Sequence, residues 1–309
     1  MMLVNKNRKL ERRWLTWLVT LLMFLGTIGV LGWLIWRQRE VLVSYTWRIR
    51  PLPLFLSFIL YAIIQFLMGF CWSQIINIFL ERSNFWKDLQ FILLTNLGKR
   101  LPGTIWYIAW RIQLYREFNL TIGTISLASG VELAMLIVSG FLVSLFFAIS
   151  ILVKFSNGIW IAGSLVFLSC FLMHPKILKW LITKTGGDPN RLRFSNAILW
   201  VAVYFVVWVL GGTMLFFIVN ILTPLPVSSL GFVIGFWSIV GVASYALLFM
   251  PSNLGFSEIG LSLLLSQVIP SPLAVLVAVS SRILTTLFDI LLALLVVLWQ
   301  KQVKKSLIN

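Results

Sequence analysis

The strongest constraint on this chain is a series of uncharged apolar runs, each about as long as a bilayer is thick. Trp14 to Trp36 holds no charge, and neither does Leu54 to Leu80. Further runs follow at Leu133 to Val153, Phe155 to Met173, Phe194 to Asn220, Leu230 to Met250 and Ile283 to Trp299, the last interrupted only by Asp289. A helix needs ~20 apolar residues to cross the hydrocarbon core. Composition agrees: 60% of the 309 residues are hydrophobic and 11% charged, where a soluble domain carries roughly half and about a quarter. The sequence therefore predicts an all-α integral membrane protein, a single polytopic domain over residues 1–309.

The chain has 25 Lys and Arg against 9 Asp and Glu. In a soluble protein that excess would point to nucleic acid. Here the cations lie in tails and short loops, where they set orientation and meet anionic headgroups, and no base-reading motif accompanies them. Nucleic acid is excluded as a partner. Five cations precede Trp14, and Lys301, Lys304 and Lys305 follow Trp299. Both termini are expected in the cytoplasm of a cell (plasma or inner) membrane protein. Residues 37–50 run against this, since Arg37, Arg39, Arg48 and Arg50 would fall outside after one crossing. The basic start and first run resemble a signal peptide, but the run is too long and lacks a small-residue cleavage site, so an uncleaved span is expected.

Two helix breakers organise the rest. "NLGKRLPGTIWYIAWR" (96–111) puts Lys99 and Arg100 before a Pro102-Gly103 pair and Arg111 after it. "MPSNLGFSEIG" (250–260) repeats the device, with Pro102 and Pro251 149 residues apart. Glu132 and Arg282 lie at nearly matching distances beyond the two prolines. Each half reads as span, span, broken hairpin and a span carrying a charge: 14–36, 54–80, 86–117 and 122–150, then 157–173, 195–220, 230–268 and 273–299. Six full spans and two re-entrant hairpins result, or eight helices if the hairpins cross. With three crossings per half, the halves (about 14–150 and 151–300) form an inverted repeat, the layout in which interrupted segments mark a transporter's binding site.

Proline removes a backbone donor and glycine adds freedom, so helices should end at each break. New half-helices should start near Thr104 and near Ser252 or Asn253, all good cap types. Helix N-termini present unpaired N–H groups and positive partial charge, suited to phosphate. With Asn96, Lys99, Arg100, Pro102, Gly103, Thr104, Arg111, Ser252, Asn253 and Gly255, they make a candidate phosphate-recognising centre; the alternative is that Lys99 and Arg100 snorkel to headgroups. Glu132, Glu258, Arg282 and Asp289 are ionisable groups within apolar segments and should face inward and pair. Ser129, Glu132, Leu136 and Ser139 share one helix face, and Ala278, Arg282, Thr285 and Asp289 another. These charges form either a substrate pathway or structural bridges between the halves.

No P-loop, metal-ligand cluster or Ser-His-Asp set is present, and no soluble domain is long enough to hold one. The reading is a non-enzyme without cofactor or metal. His174 reads as interfacial, Cys71 and Cys170 as small apolar residues, and the Trp residues near span ends as an aromatic belt.

"NLGKRLPGTIWYIAWRIQLYREFNLTIGTISLASGVE" and "MPSNLGFSEIGLSLLL" followed by "AVSSRILTTLFDILLALL" resemble the two signatures of the lysylphosphatidylglycerol synthase transmembrane-region family, also called flippase-like. The likeness covers roughly residues 10–300. Asn96, Pro102, Gly103, Arg111 and Glu132 take the first signature's places; Pro251, Gly255, Glu258 and Arg282 take the second's. The family's longer members add an aminoacyl transferase domain, and this chain ends at "QKQVKKSLIN" without it, so transferase activity is not implied. "TIWYIAW" after Pro-Gly also departs from the more polar version in some relatives. The resemblance implies binding and translocation of an anionic or polyprenyl-phosphate-linked lipid between leaflets. The other expectations are a membrane subunit presenting lipid-linked sugar to a partner glycosyltransferase, and a small-solute or ion transporter.

Overall fold

A computed structural model describes residues 49–80, 84–100, 106–152, 174–184, 189–246 and 255–306, with scattered positions between 29 and 43 and between 164 and 171. The described residues are 89% helical and contain no strand. We number their α-helices α1 (Pro51–Ile76), α2 (Phe85–Asn96), α3 (Trp106–Tyr115), α4 (Ile122–Leu152), α5 (Pro175–Lys184), α6 (Phe194–Leu222), α7 (Leu230–Ala246), α8 (Phe256–Leu265) and α9 (Ser271–Ser306).

Among the described residues, five stretches are long and apolar enough to cross a membrane: Pro51–Ile76, Ile122–Ile149, Phe194–Leu222, Val227–Tyr245 and Ser271–Gln300. The chain is a multi-pass membrane protein. Four of these stretches coincide with the expected spans 54–80, 122–150, 195–220 and 273–299. The expected spans 14–36 and 157–173 lie almost wholly outside the described residues. The fifth belongs to the second broken segment, whose first limb is therefore long enough to cross.

Local chemistry sets the helix ends. Pro51 sits at the first position of α1, where a missing N–H is harmless. The Asn84 side chain accepts from the N–H groups of Trp86 and Lys87 to cap α2, and Thr121 Oγ1 accepts from Thr124 N–H to cap α4. Between α3 and α4, Asn119 takes a left-handed conformation (φ 58°), which its short polar side chain tolerates.

The long helices are apolar nearly all round, so what distinguishes their faces is polarity turned inward. On α9, Ser281, Thr285 and Asp289 are buried, while Ile283, Leu287, Leu291, Leu294 and Leu298 are exposed. That inside-out pattern suits a lipid surround, where apolar side chains need no cover and polar ones do. α4 and α6 are the most enclosed of these spans, with 56% of the most apolar stretch of each buried. α1 packs along α6, α4 along α7, and α9 against α2 and α8. The Arg50 N–H donates to Ile221 O, so α1 and α6 run antiparallel.

The two short pairs, α2–α3 and α8 with the end of α7, carry the breaks. At ~1.5 Å per residue, α2 and α3 reach only about 18 and 15 Å, against ~30 Å of hydrocarbon. Their outer ends are tied by the Lys87–Glu117 ion pair (3.0 Å), with Lys87 Nζ 4.6 Å from the Phe118 ring. Their inner ends meet where a Cβ on Gly98 would lie 2.9 Å from Tyr107 N, an approach only glycine permits.

Candidate functional site

Where the inner ends of α2, α3, α7 and α8 converge, the fold forms an open-sided cavity of about 300 Å³. Asn96 and Lys99 line it from the first broken segment, Glu258 from α8, and Arg282 and Asp289 from α9. These are sequence-predicted site residues from both ends of the chain, gathered on one surface. Ala278 and Thr285, expected on the Arg282–Asp289 face, line it too. Arg100 forms the last residue of the 3-10 turn Leu97–Arg100. The expected positions Pro102, Gly103, Thr104, Pro251, Ser252 and Asn253 lie outside the described residues.

Each cavity side chain has a fixed neighbour. Arg282 Nη1 donates to Glu258 Oε1 (2.6 Å), with side-chain exposures of 27% and 7%. Arg282 thus keeps part of its guanidinium on the cavity while its charge is balanced from behind. Tyr61 OH donates to Asp289 Oδ1. Asn96 Nδ2 donates to Gln65 Oε1 (2.6 Å), and Asn96 Oδ1 is buried with no partner among the described residues. Lys99 Nζ lies 5.3 Å from the Tyr107 ring centroid. Such polar groups buried in pairs are stabilising, whereas an orphaned one costs about 1–3 kcal/mol.

The second half-helix starts later than the sequence predicts. α8 begins at Phe256 rather than near Ser252 or Asn253, because Gly255 takes φ 98° and breaks the helix there. Glu258 Oε2 accepts the Gly255 N–H (2.8 Å). The anion at this helix start is the chain's own carboxylate, which is why Glu258 faces both the cap and Arg282.

Arg111 and Glu132 do not line the cavity. Arg111 Nη1 and Nη2 both donate to Glu132, with exposures of 0% and 3%. The guanidinium lies over Trp72 (3.9 Å) and near Tyr107 (5.0 Å). Tyr107 lines the cavity and is 5% exposed, so its ring stands between the cavity and the pair. Behind the pair runs a network that sequence reasoning missed. Trp72 Nε1 donates to Tyr115 OH (2.7 Å), and Tyr115 OH and Ser73 Oγ donate to Asp88 (2.5 and 2.8 Å). Asp88 reads in sequence as an ordinary acidic residue of a helix first turn, and only packing reveals it as buried.

The remaining walls are apolar, aromatic at Tyr61, Trp208, Trp237 and Tyr245 and aliphatic at Ile64, Met68, Leu136, Met214, Val240 and Leu261. Trp208 fits between α4 and α7 because a Cβ on Gly140 or Gly241 would lie 2.5 or 2.3 Å from its ring, and its Nε1 donates to Leu136 O (2.9 Å). Two cations balanced by the carboxylates of Glu258 and Asp289, hydrogen-bonding amides and hydroxyls, and apolar walls are equipment for a ligand with a polar or charged end and an apolar part. Comparison with known proteins matches no family model and no curated protein. The functional reading therefore rests on the residues of this site.

Proposed function

We propose that the protein is a flippase-like membrane protein that binds an anionic phospholipid or polyprenyl-phosphate-linked lipid and moves it between leaflets. The observation that carries this reading is the cavity where Lys99 and Arg282, from opposite halves of the chain, share one surface with Asn96 and Asp289. Lys99 and Arg282 hold the phosphate; Asn96, Gln65 and Asp289 meet the rest of the headgroup; the acyl or prenyl chain stays in the bilayer. Glu258 and Tyr61 orient Arg282 and Asp289.

In both α1–α4 and α6–α9 a long helix is followed by two shorter ones and then another long one, although α7, unlike α2, is long enough to cross. In each half a charge on the second short helix pairs with one on the last long helix, Arg111–Glu132 and Glu258–Arg282, with the signs exchanged. This correspondence supports an inverted repeat whose halves, about 14–150 and 151–300, approach the cavity from opposite membrane faces. The first broken segment is re-entrant in this reading, and both termini are cytoplasmic in a plasma or inner membrane.

Lipid analysis of the purified protein should find an anionic lipid retained. Proteoliposomes containing that lipid should then exchange it between leaflets, and Lys99→Gln or Arg282→Gln should slow exchange about tenfold or more, the loss of one charged hydrogen bond. Wild-type protein with neither retained lipid nor exchange would refute the proposal.

A further inference from the structure

Several side-chain oxygens of the cavity wall meet it as acceptors. On α9, Ser281, Thr285 and Asp289 recur at four-residue spacing, and all three are buried and line the cavity. Ser281 Oγ donates to Ala278 O (2.8 Å) and Thr285 Oγ1 to Ser281 O (2.8 Å). A hydroxyl has one hydrogen and two lone pairs, so each keeps its hydrogen on its own helix and has only lone pairs for a ligand. The α7–α8 side is built alike. Ser244 Oγ donates to Val240 O (2.7 Å), which leaves the Ser257 hydrogen to make the Ser244–Ser257 bond (2.8 Å). Asn96 Oδ1 is a further acceptor, buried without a hydrogen-bond partner among the described residues.

Packing gathers Asn96 and the α9 stripe. Tyr61 and Gln65 are one turn apart on α1, and each holds one of the two: Tyr61 OH donates to Asp289 Oδ1, and Gln65 Oε1 accepts from Asn96 Nδ2 (2.6 Å). Asn96 and the stripe are thus tied to adjacent turns of one helix face. Lys99 and Arg282 line the same cavity and bring charged donors to it.

We infer that the headgroup taken into this cavity is a phosphate bearing free hydroxyls, a glycerol or sugar phosphate, whose hydroxyls donate to Asn96 Oδ1, Ser281 Oγ and Thr285 Oγ1. This rests on the lipid-translocating reading and names its substrate class. An anionic phosphodiester without hydroxyls has oxygens that accept and no hydrogen to give. It would leave the Asn96 oxygen as unmet as before, and a buried acceptor left unmet is costly. A polyol supplies several hydrogens on several carbons, which suits neutral acceptors spread along α2 and α9. An ammonium has its three donors on one charged atom, which suits a compact cage rather than oxygens spread along two helices.

Titration of the delipidated protein in detergent with short-chain lipids, read by native mass spectrometry, tests the assignment. The probes are dioctanoyl phosphatidylglycerol and phosphatidylinositol, which carry a glycerol and a ring polyol. Dioctanoyl phosphatidylmethanol has the same charge and no hydroxyl, and phosphatidylethanolamine supplies the ammonium. At least one polyol lipid should bind about tenfold more tightly than phosphatidylmethanol, since one or two hydrogen bonds separate them; the tighter of the two tells glycerol from sugar. Asn96→Leu and Thr285→Val should each reduce that preference about threefold or more. If Asn96→Leu does not fold, the wild-type comparison and Thr285→Val decide. Tighter binding of phosphatidylethanolamine, or a preference that survives both substitutions, overturns the polyol assignment. Phosphatidylmethanol bound as tightly as the polyol lipids overturns it too, while leaving the anionic-lipid reading standing. Failure of every phospholipid to bind removes both.

Discussion

Arg111 and Glu132 show what a charge must do to remain inside an apolar bundle. With exposures of 0% and 3% they have no water to fall back on, so each depends on the other and on the Trp72 face. Removing one partner leaves the other charged and buried, at about 3–5 kcal/mol. Glu132→Leu should therefore lower the melting temperature in detergent sharply, and adding Arg111→Met should restore most of the loss. Arg282→Gln should be milder in the same measurement, because Arg282 is 27% exposed on the cavity and Glu258 keeps the Gly255 N–H as a partner. Glu132, Glu258, Arg282 and Asp289 were legible in the sequence because a charge within an apolar run is expensive and conspicuous. Tyr61, Gln65, Tyr107 and Trp208 were not, since polar-tipped and aromatic residues are ordinary in such runs and only contact with a charge gives them a role.

Helices in this fold approach one another through small residues. α6 meets α7 where a Cβ on Gly212 would lie 2.4 Å from Ile234 Cα, a backbone atom that cannot swing away. Gly212→Ala should cost about 1–3 kcal/mol by forcing the helices apart. Gly130 on α4 has nothing within 4 Å of its added Cβ, and Gly130→Ala should be neutral or stabilise by about 0.5–1 kcal/mol through helix propensity. Thermal unfolding of the two variants side by side gives the comparison. Spacing alone cannot separate these glycines, because both sit in apolar helices. At this scale the sequence placed four spans within a few residues, since long runs leave little choice of register. The start of α8 was misplaced because Ser252 and Asn253 are good caps in isolation, whereas the positive φ of Gly255 and the reach of Glu258 determine where the turn closes.

Across the whole molecule, the first broken segment has a direct topological consequence. Lys87 and Glu117 hold the outer ends of α2 and α3 together, so the proposed re-entrant hairpin places Asn84 and Asn119 on one side of the membrane. Cysteines introduced at the two positions should be labelled by an impermeant maleimide from the same face; labelling from opposite faces would exclude a re-entrant hairpin. What the sequence determined by itself is the membrane class, four of the spans and the two segments in which helices break, because each follows from short-range physics: desolvation of the backbone, proline sterics and the intolerance of lipid for charge. What only the tertiary structure decided is which charges meet. Arg111 and Glu132 close on each other behind Tyr107, while Lys99, Glu258, Arg282 and Asp289 share a cavity. That partition depends on how helices far apart in the chain pack, on the glycines that let Trp208 between two of them, and on the Tyr107 ring between the cavity and the closed pair.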